Sequence, residues 1–115
     1  MPTMTHAAHA YETAASHRGL RQQEADVFHR ATGALRAARD AGTIPRVRAI
    51  ADNRRLWATV NDLMRDPLNS LPHDLRASIV SLGLAVQREM EGKDPDFDFL
   101  IAINEDIAAG LSAQM

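Results

Sequence analysis

The segment NRRLWATVNDL, residues 53–63, contains the only tryptophan of the chain, beside two arginines and an asparagine. On an α-helix, side chains three and four residues apart lie on the same face. With its flanking residues, the segment places on one such face Val47, Ile50, Asn53, Trp57, Val60 and Met64, and Leu56 and Leu63 widen it. The spacing predicts an amphipathic helix that carries an amide in the middle of its apolar stripe.

Both ends of this helix can be predicted. Thr43 is a plausible N-cap, because its hydroxyl can accept a hydrogen bond from a free backbone N–H, and Ile44 and Pro45 then fill the first turn. Asp66 precedes Pro67, and the residue before a proline disfavours helical backbone. We therefore expect the helix to begin near Thr43 and to end before Pro67.

Other segments show the same helical spacing of apolar residues. The segment from Leu20 to Ala41 ends at Gly42, and its stripe contains Leu20, Val27, Phe28, Ala31, Leu35 and Ala38. The segment from Leu71 to Met90 has a stripe of Leu75, Ile79, Leu82, Val86 and Met90. A last helix follows the predicted cap and first-turn pair Asp94-Pro95, and its stripe contains Phe97, Leu100, Ile101, Asn104, Ala108 and Leu111.

These patterns predict an all-α fold, because no run of residues alternates apolar and polar side chains as a strand would. The fold class is a small bundle of four main helices, and Ala8, Tyr11 and Ala15 could add a short fifth helix at the N-terminus. Residues 1–115 are expected to form a single domain, with residues 1–9 mobile. The predicted core and motif positions are Asn53, Leu56, Trp57, Leu75, Ile79, Leu82, Ile101, Asn104 and Leu111.

Composition narrows the function classes. The chain has no cysteine, and its 13 basic and 15 acidic residues give a net charge of −2. The basic residues are scattered, so no polyanion-binding surface and no nucleic-acid binding are predicted. The N-terminal residues do not resemble a secretory signal, and no apolar run approaches the roughly 18 residues of a membrane helix. A cytoplasmic protein without a membrane partner is expected.

Possible catalytic and metal-binding residues have simpler explanations. His6 and His9 are one helical turn apart, but no further ligands follow at a known spacing. Asp94, Asp96 and Asp98 resemble the start of a calcium loop, but the central glycine and the later glutamate are missing, and a helix N-terminus favours the same charges. No nucleophile elbow and no phosphate loop occurs. We therefore predict no catalytic residue, no metal and no cofactor.

The polar residues on the apolar stripes allow two interpretations. Buried amides must be hydrogen bonded, so Asn53 and Asn104 either fix the register of the bundle or bond the backbone of a partner. Trp57 is expected in the core, and its N–H needs an acceptor. The neighbouring Arg54 and Arg55 could pair with Asp52, Asp62 or Asp106.

The helix from Leu71 to Met90 is apolar on a second side as well, along Ala77, Val80 and Leu84. Such a helix is either covered all round at the centre of the bundle or keeps one stripe for a partner. We expect the first case, in which the NRRLW and LIAIN stripes would be its main neighbours. In the second case Val80, Gly83 and Leu84 would border a partner-binding groove, with Gly83 allowing a close approach.

Several short motifs follow one another along the chain. An early Ala10-Tyr11 is followed by a helix that carries Arg21, Glu24, Val27 and Leu35. The next motifs are the core Asn53-Arg54-x-Leu56-Trp57 and then Asn69-x-Leu71-Pro72-x-x-Leu75-Arg76. The last motif contains Leu100, Ile101, Ile103, Asn104, Ile107, Ala108, Gly110 and Leu111. Together these motifs resemble the FlaF family of flagellar biosynthesis regulators, and the likeness spans nearly the whole chain, in order.

The resemblance implies a role in flagellin production and export. Proteins similar to this chain are implicated in binding flagellin as a secretion chaperone, and they act in opposition to FlbT, a post-transcriptional repressor of flagellin synthesis. An RNA-binding regulator of flagellin messenger is the alternative. That alternative ranks lower because the chain offers one lysine and few aromatic side chains, most of them on apolar stripes. A structural subunit that assembles on itself or on export proteins is a third possibility.

Overall fold

A computed structural model describes residues 25–113, with side chains through residue 110. In this range the helices are α1 at 25–38, α2 at Thr43–Arg65, α3 at His73–Glu91 and α4 at Phe97–Ala113. No strand occurs in these residues, and the all-α prediction is confirmed. The expected N-terminal helix, the mobility of residues 1–9 and the side chain of Leu111 lie outside what the structure describes.

Contacts between the helices give an up-and-down bundle. The ring of Phe28 on α1 meets Trp57 on α2, and Trp57 in turn lies over Gly83 on α3. On the other side, α1 pairs with α4 through Arg36 with Glu105 and Arg39 with Asp98. Helices α2 and α4 run parallel across the bundle, because Arg46 lies over Phe97 and Asn53 bonds Asn104. Each described helix therefore has two antiparallel neighbours.

The core draws on all of these helices. Its buried apolar side chains include Phe28, Leu35, Ile50, Leu56, Trp57, Val60, Ile79, Val86, Leu100, Ile101 and Ile107. Leu75 and Leu82 are half-buried and pack against this core. The predicted core positions are thus in the core for every side chain that the structure describes, with Asn53 and Asn104 fully buried beside them.

The start of α2 differs from the prediction. The N-cap residue is Gly42, and Thr43 is already the first helical residue, so the prediction of Thr43 as N-cap is wrong. Gly42 has φ 101°, a left-handed conformation that favours glycine because it carries no Cβ. One turn later Arg46 bonds the carbonyl oxygen of Gly42 with its backbone N–H. Glycine geometry therefore replaces a side-chain cap at this helix start.

The start of α4 also differs. Asp96, not Asp94, caps the helix, because its Oδ1 accepts a hydrogen bond of 3.1 Å from the backbone N–H of Phe99. Asp94 instead accepts a 3.0 Å hydrogen bond from Arg46. Asp98 holds Arg39, and this hydrogen bond raises the pKa of the Arg39 guanidinium above its ordinary value. All three aspartates therefore have roles within the chain.

Two valines that were assigned to buried stripes are exposed. Val47 is 63% exposed, because it precedes Asn53 by six residues and so points about 120° away from it around the helix. Val27 is 42% exposed at the edge of α1 that faces α2. The prediction that both side chains are buried is wrong, and the position of Val27 matters for the surface described below.

Candidate partner-binding surface

A chain of buried hydrogen bonds crosses the centre of the bundle. The indole N–H of Trp57 donates to Oδ1 of Asn104 over 2.9 Å, and Nδ2 of Asn104 donates to Oδ1 of Asn53 over 2.7 Å. Nδ2 of Asn53 then points to the sulfur of Met90 at 3.4 Å. These contacts join α2, α4 and α3, so both amides find partners within the chain.

The geometry decides between the two interpretations of the amides. Asn53 and Asn104 are completely buried, and no buried side-chain nitrogen or oxygen of the described residues lacks a hydrogen-bond partner. An amide already bonded in the core is not available to the backbone of another protein. Asn53 and Asn104 therefore fix the relative positions of α2 and α4, and the prediction that Trp57 is a core residue is confirmed.

Gly83 lies against the Trp57 ring. A Cβ placed on Gly83 would lie 3.3 Å from Cε3 of Trp57. The close approach that this glycine permits is thus made by a helix of the same chain. The Trp57 ring also packs against Phe28 in a T-shaped arrangement, with 6.2 Å between ring centroids and an interplanar angle of 84°. Trp57 therefore contacts both α1 and α3, and its indole N–H is bonded to Asn104.

Helix α3 is not covered on all sides. Leu84 is 54% exposed, Ala77 and Ser81 are exposed, and Val80 is half-buried. The prediction that α3 occupies the centre is therefore wrong, because each helix of a four-helix bundle has an outer face. We call Val80 and Leu84 the α3 patch. These two residues of the predicted partner-binding set reach the surface, and a partner at this patch stays a prediction.

Other motif residues hold helix ends together, which the sequence reasoning missed. Arg76 donates from Nε and Nη2 to the backbone oxygen of Met64, at 3.1 and 2.7 Å. Asn69 donates from Nδ2 to the backbone oxygen of Leu63 at 2.8 Å. Both side chains bond carbonyl oxygens in the last turn of α2. The signal was present in the sequence, since Asn69 lies in the connection between α2 and α3 and Arg76 follows in the first turn of α3.

Arg54 and Arg55 behave differently from each other. Arg54 donates to the backbone oxygen of Met90 over 3.2 Å instead of pairing with an aspartate. Arg55 lies 3.8 Å from Asp52 on the exposed side of α2, which is one of the three pairings that the sequence allowed. A surface ion pair at this distance contributes little to the stability of the protein. Arg55 therefore keeps a guanidinium that solvent and partners can reach.

A groove runs between α1 and α2 beside this arginine. It is open to solvent and has a volume of about 420 Å³. We call it the α1–α2 groove, and its lining residues are Val27, Arg30, Ala31, Ala34, Asp52, Arg55, Leu56 and Thr59. The alanines leave space because their side chains are short, and Leu56 is 4% exposed within it. Sequence reasoning missed this feature, because the pattern of α1 does not show which helix lies beside it.

Among the comparisons with known proteins, only a family model matches the chain. No curated protein and no solved structure matches the chain. The model of the family described as flagellar protein FlaF matches residues 7–111, nearly the whole sequence. No helix in the part of the chain that the structure describes could span a membrane. The chain belongs to the FlaF family of flagellar proteins.

Proposed function

We propose that this protein binds flagellin in the cytoplasm as an export chaperone and so promotes flagellin synthesis and secretion. The observation that carries the proposal is the family match over residues 7–111. The structure supports it with apolar surface that the described residues leave open, in the α1–α2 groove and at the α3 patch. A protein that covers apolar segments of another chain needs such surface.

A flagellin chaperone must cover the apolar segments of flagellin and must later release the protein. Flagellin outside the filament exposes amphipathic terminal segments that would otherwise associate with each other. A helical bundle covers such a segment by binding its apolar face. Ordering the segment costs conformational entropy, which keeps the affinity moderate and the complex reversible. Reversibility suits a cargo that must be passed on for export.

The α3 patch is one candidate contact in this complex. Leu84 offers an exposed apolar side chain, and Val80 lies one turn earlier on the same side of α3. Asp at either position should leave the fold intact, because neither side chain is fully buried. A FlbT-type regulator is a second possible protein partner, through which the protein would act on flagellin synthesis.

A pull-down with purified flagellin tests the proposal. The full-length protein should retain flagellin with and without nuclease. Binding that disappears with nuclease, or binding to flagellin messenger alone, would replace the chaperone by the RNA-binding alternative. The variants Val80→Asp and Leu84→Asp, checked for folding by circular dichroism, show whether the α3 patch takes part. An exposed position elsewhere, Ser78→Asp, is the matched control on the same helix.

A further inference from the structure

The α1–α2 groove has the length of a short helical recognition site. Its α1 wall runs from Val27 to Ala34 and its α2 wall from Asp52 to Thr59. Each wall spans eight residues, or about 10 to 12 Å at the rise of an α-helix. Two turns of an incoming helix, with anchors at i, i+3 or i+4, and i+7, cover this distance. The groove therefore matches a ridge of side chains on another helix.

The floor of the groove is apolar, and part of it is exposed. Val27 is 42% exposed although it lies among apolar neighbours, and Ala34 is half-buried. Ala31 and Leu56, beneath them, are buried. An exposed apolar side chain above a floor of short side chains gains from a partner that removes it from water. The described residues alone therefore leave apolar surface of this groove in contact with water.

The two walls of the groove carry positive charges that are weakly paired within the chain. Arg30 projects from α1 and Arg55 from α2, so a guanidinium stands on each wall. Arg55 has only the 3.8 Å contact with Asp52, and its side chain is 83% exposed. Arg36, Arg39, Arg46, Arg54 and Arg76, in contrast, are each bonded to acceptors on this chain. With Asp52 included, the lining has two positive groups against one negative group.

We propose that the α1–α2 groove binds an amphipathic helix whose apolar ridge is flanked by carboxylates on both sides. The apolar ridge would lie over Val27, Ala31 and Ala34, and the flanking carboxylates would meet Arg30 and Arg55. Guanidinium and carboxylate groups form hydrogen bonds stronger than neutral pairs. Resting on the proposed function, this helix belongs to flagellin. The groove is then a recognition site separate from the α3 patch.

The test uses the full chain and purified flagellin in a titration by isothermal calorimetry. Arg30→Gln with Arg55→Gln should weaken binding about tenfold, and Arg30→Glu with Arg55→Glu should weaken it further. Arg65→Gln with Lys93→Gln removes the same charge from exposed residues outside the groove and serves as the matched control. Raising NaCl from about 0.05 M to about 0.3 M should weaken wild-type binding more than binding by the Arg30/Arg55 variants, because salt screens exposed charges.

Each outcome bears on one proposal or the other. If the Arg30/Arg55 variants bind flagellin as tightly as the Arg65/Lys93 control, the groove proposal is wrong while the chaperone proposal stands. If wild type binds no flagellin, the proposed function fails, and the groove proposal with it. Sedimentation of the protein alone shows whether a second copy occupies the groove, and a dimer that dissociates in the Arg30/Arg55 variants would overturn the flagellin assignment.

Discussion

Trp57 and Asn104 are joined by a 2.9 Å hydrogen bond in the interior of the bundle, across 47 residues of sequence. The indole is 5% exposed and the amide is fully buried, so neither group can exchange this partner for water while the protein is folded. A buried polar group without a partner costs free energy, which makes the bond a condition of the native packing. Helices α2 and α4 therefore have one well-defined relative position.

Removal of the amide at position 104 should be strongly destabilising. Asn104→Ala leaves the Trp57 N–H and Oδ1 of Asn53 unpaired in the core. We expect a loss of about 2–5 kcal/mol in the free energy of unfolding, from two unsatisfied groups. Urea denaturation followed by circular dichroism measures it. Ala102→Ser, an exposed change on the same helix, is the control, and equal stability of both variants would contradict the role assigned to Asn104.

Truncation of Trp57 should remove a large part of the domain's stability. Trp57→Ala empties a buried site between Phe28 and Gly83, and we expect a cost of about 3–5 kcal/mol. Trp57→Phe keeps part of the ring packing but loses the N–H, so a smaller cost of about 1–3 kcal/mol is expected. Thermal melting by circular dichroism compares them. A melting temperature unchanged within a degree or two would show that Trp57 does not support the core.

Two glycines in helices should respond in opposite directions to the same substitution. Gly33→Ala adds a Cβ that meets nothing within 4 Å, so it should raise stability by about 0.5–1 kcal/mol through helix propensity. Gly83→Ala adds a Cβ 3.3 Å from the Trp57 ring. That ring is held by Asn104 and Phe28 and cannot yield easily, so we expect a loss of about 1–3 kcal/mol.

The pair of alanine variants is its own control, because both replace a glycine within a helix. The two variants are compared by the urea concentration at the midpoint of unfolding, with the same dependence of the free energy of unfolding on urea. A stabilising effect at both positions would mean that the Trp57 ring can shift, and that Gly83 is not needed for its approach. In that case a role of Gly83 at an outer surface would regain support.

The contribution of Arg76 to stability should come from its two donor nitrogens and not from its charge. Arg76→Lys keeps the charge but cannot bond the Met64 oxygen from two nitrogens, so it should cost about 1–2 kcal/mol. Arg88→Lys, on the exposed side of the same helix, should be nearly neutral. Denaturation midpoints in urea measure both. If Arg76→Lys were also neutral, the cap at the end of α2 would be unimportant.

The sequence predicted helix positions better than helix partners. Periodicity placed α2 and its end before Pro67 correctly, since apolar spacing and the effect of proline on its predecessor are local properties. It also placed Asn53 and Asn104 in the core. It could not show that they bond each other, because a pairing across 51 residues depends on how the helices pack.

The candidate surfaces illustrate the same limit. Val80 and Leu84 were found because an apolar side chain outside the main stripe is visible in sequence. The sequence does not reveal the α1–α2 groove, because Val27 and Ala31 lie on the apolar stripe of α1 and the neighbouring helix is unknown at that point. Gly83 borders a partner only in the groove alternative, because a glycine shows that something comes close but not which group does.

Since Trp57 is the sole tryptophan of the chain, its contact with Asn104 makes it an intrinsic optical probe. The indole lies on α2, yet its polar environment is set by α4. Its emission therefore reports whether α4 is in place, and detachment of that helix should shift the spectrum to longer wavelength even if α2 stays helical. Stopped-flow fluorescence compared with far-ultraviolet circular dichroism would separate helix formation from the arrival of the C-terminal helix during refolding.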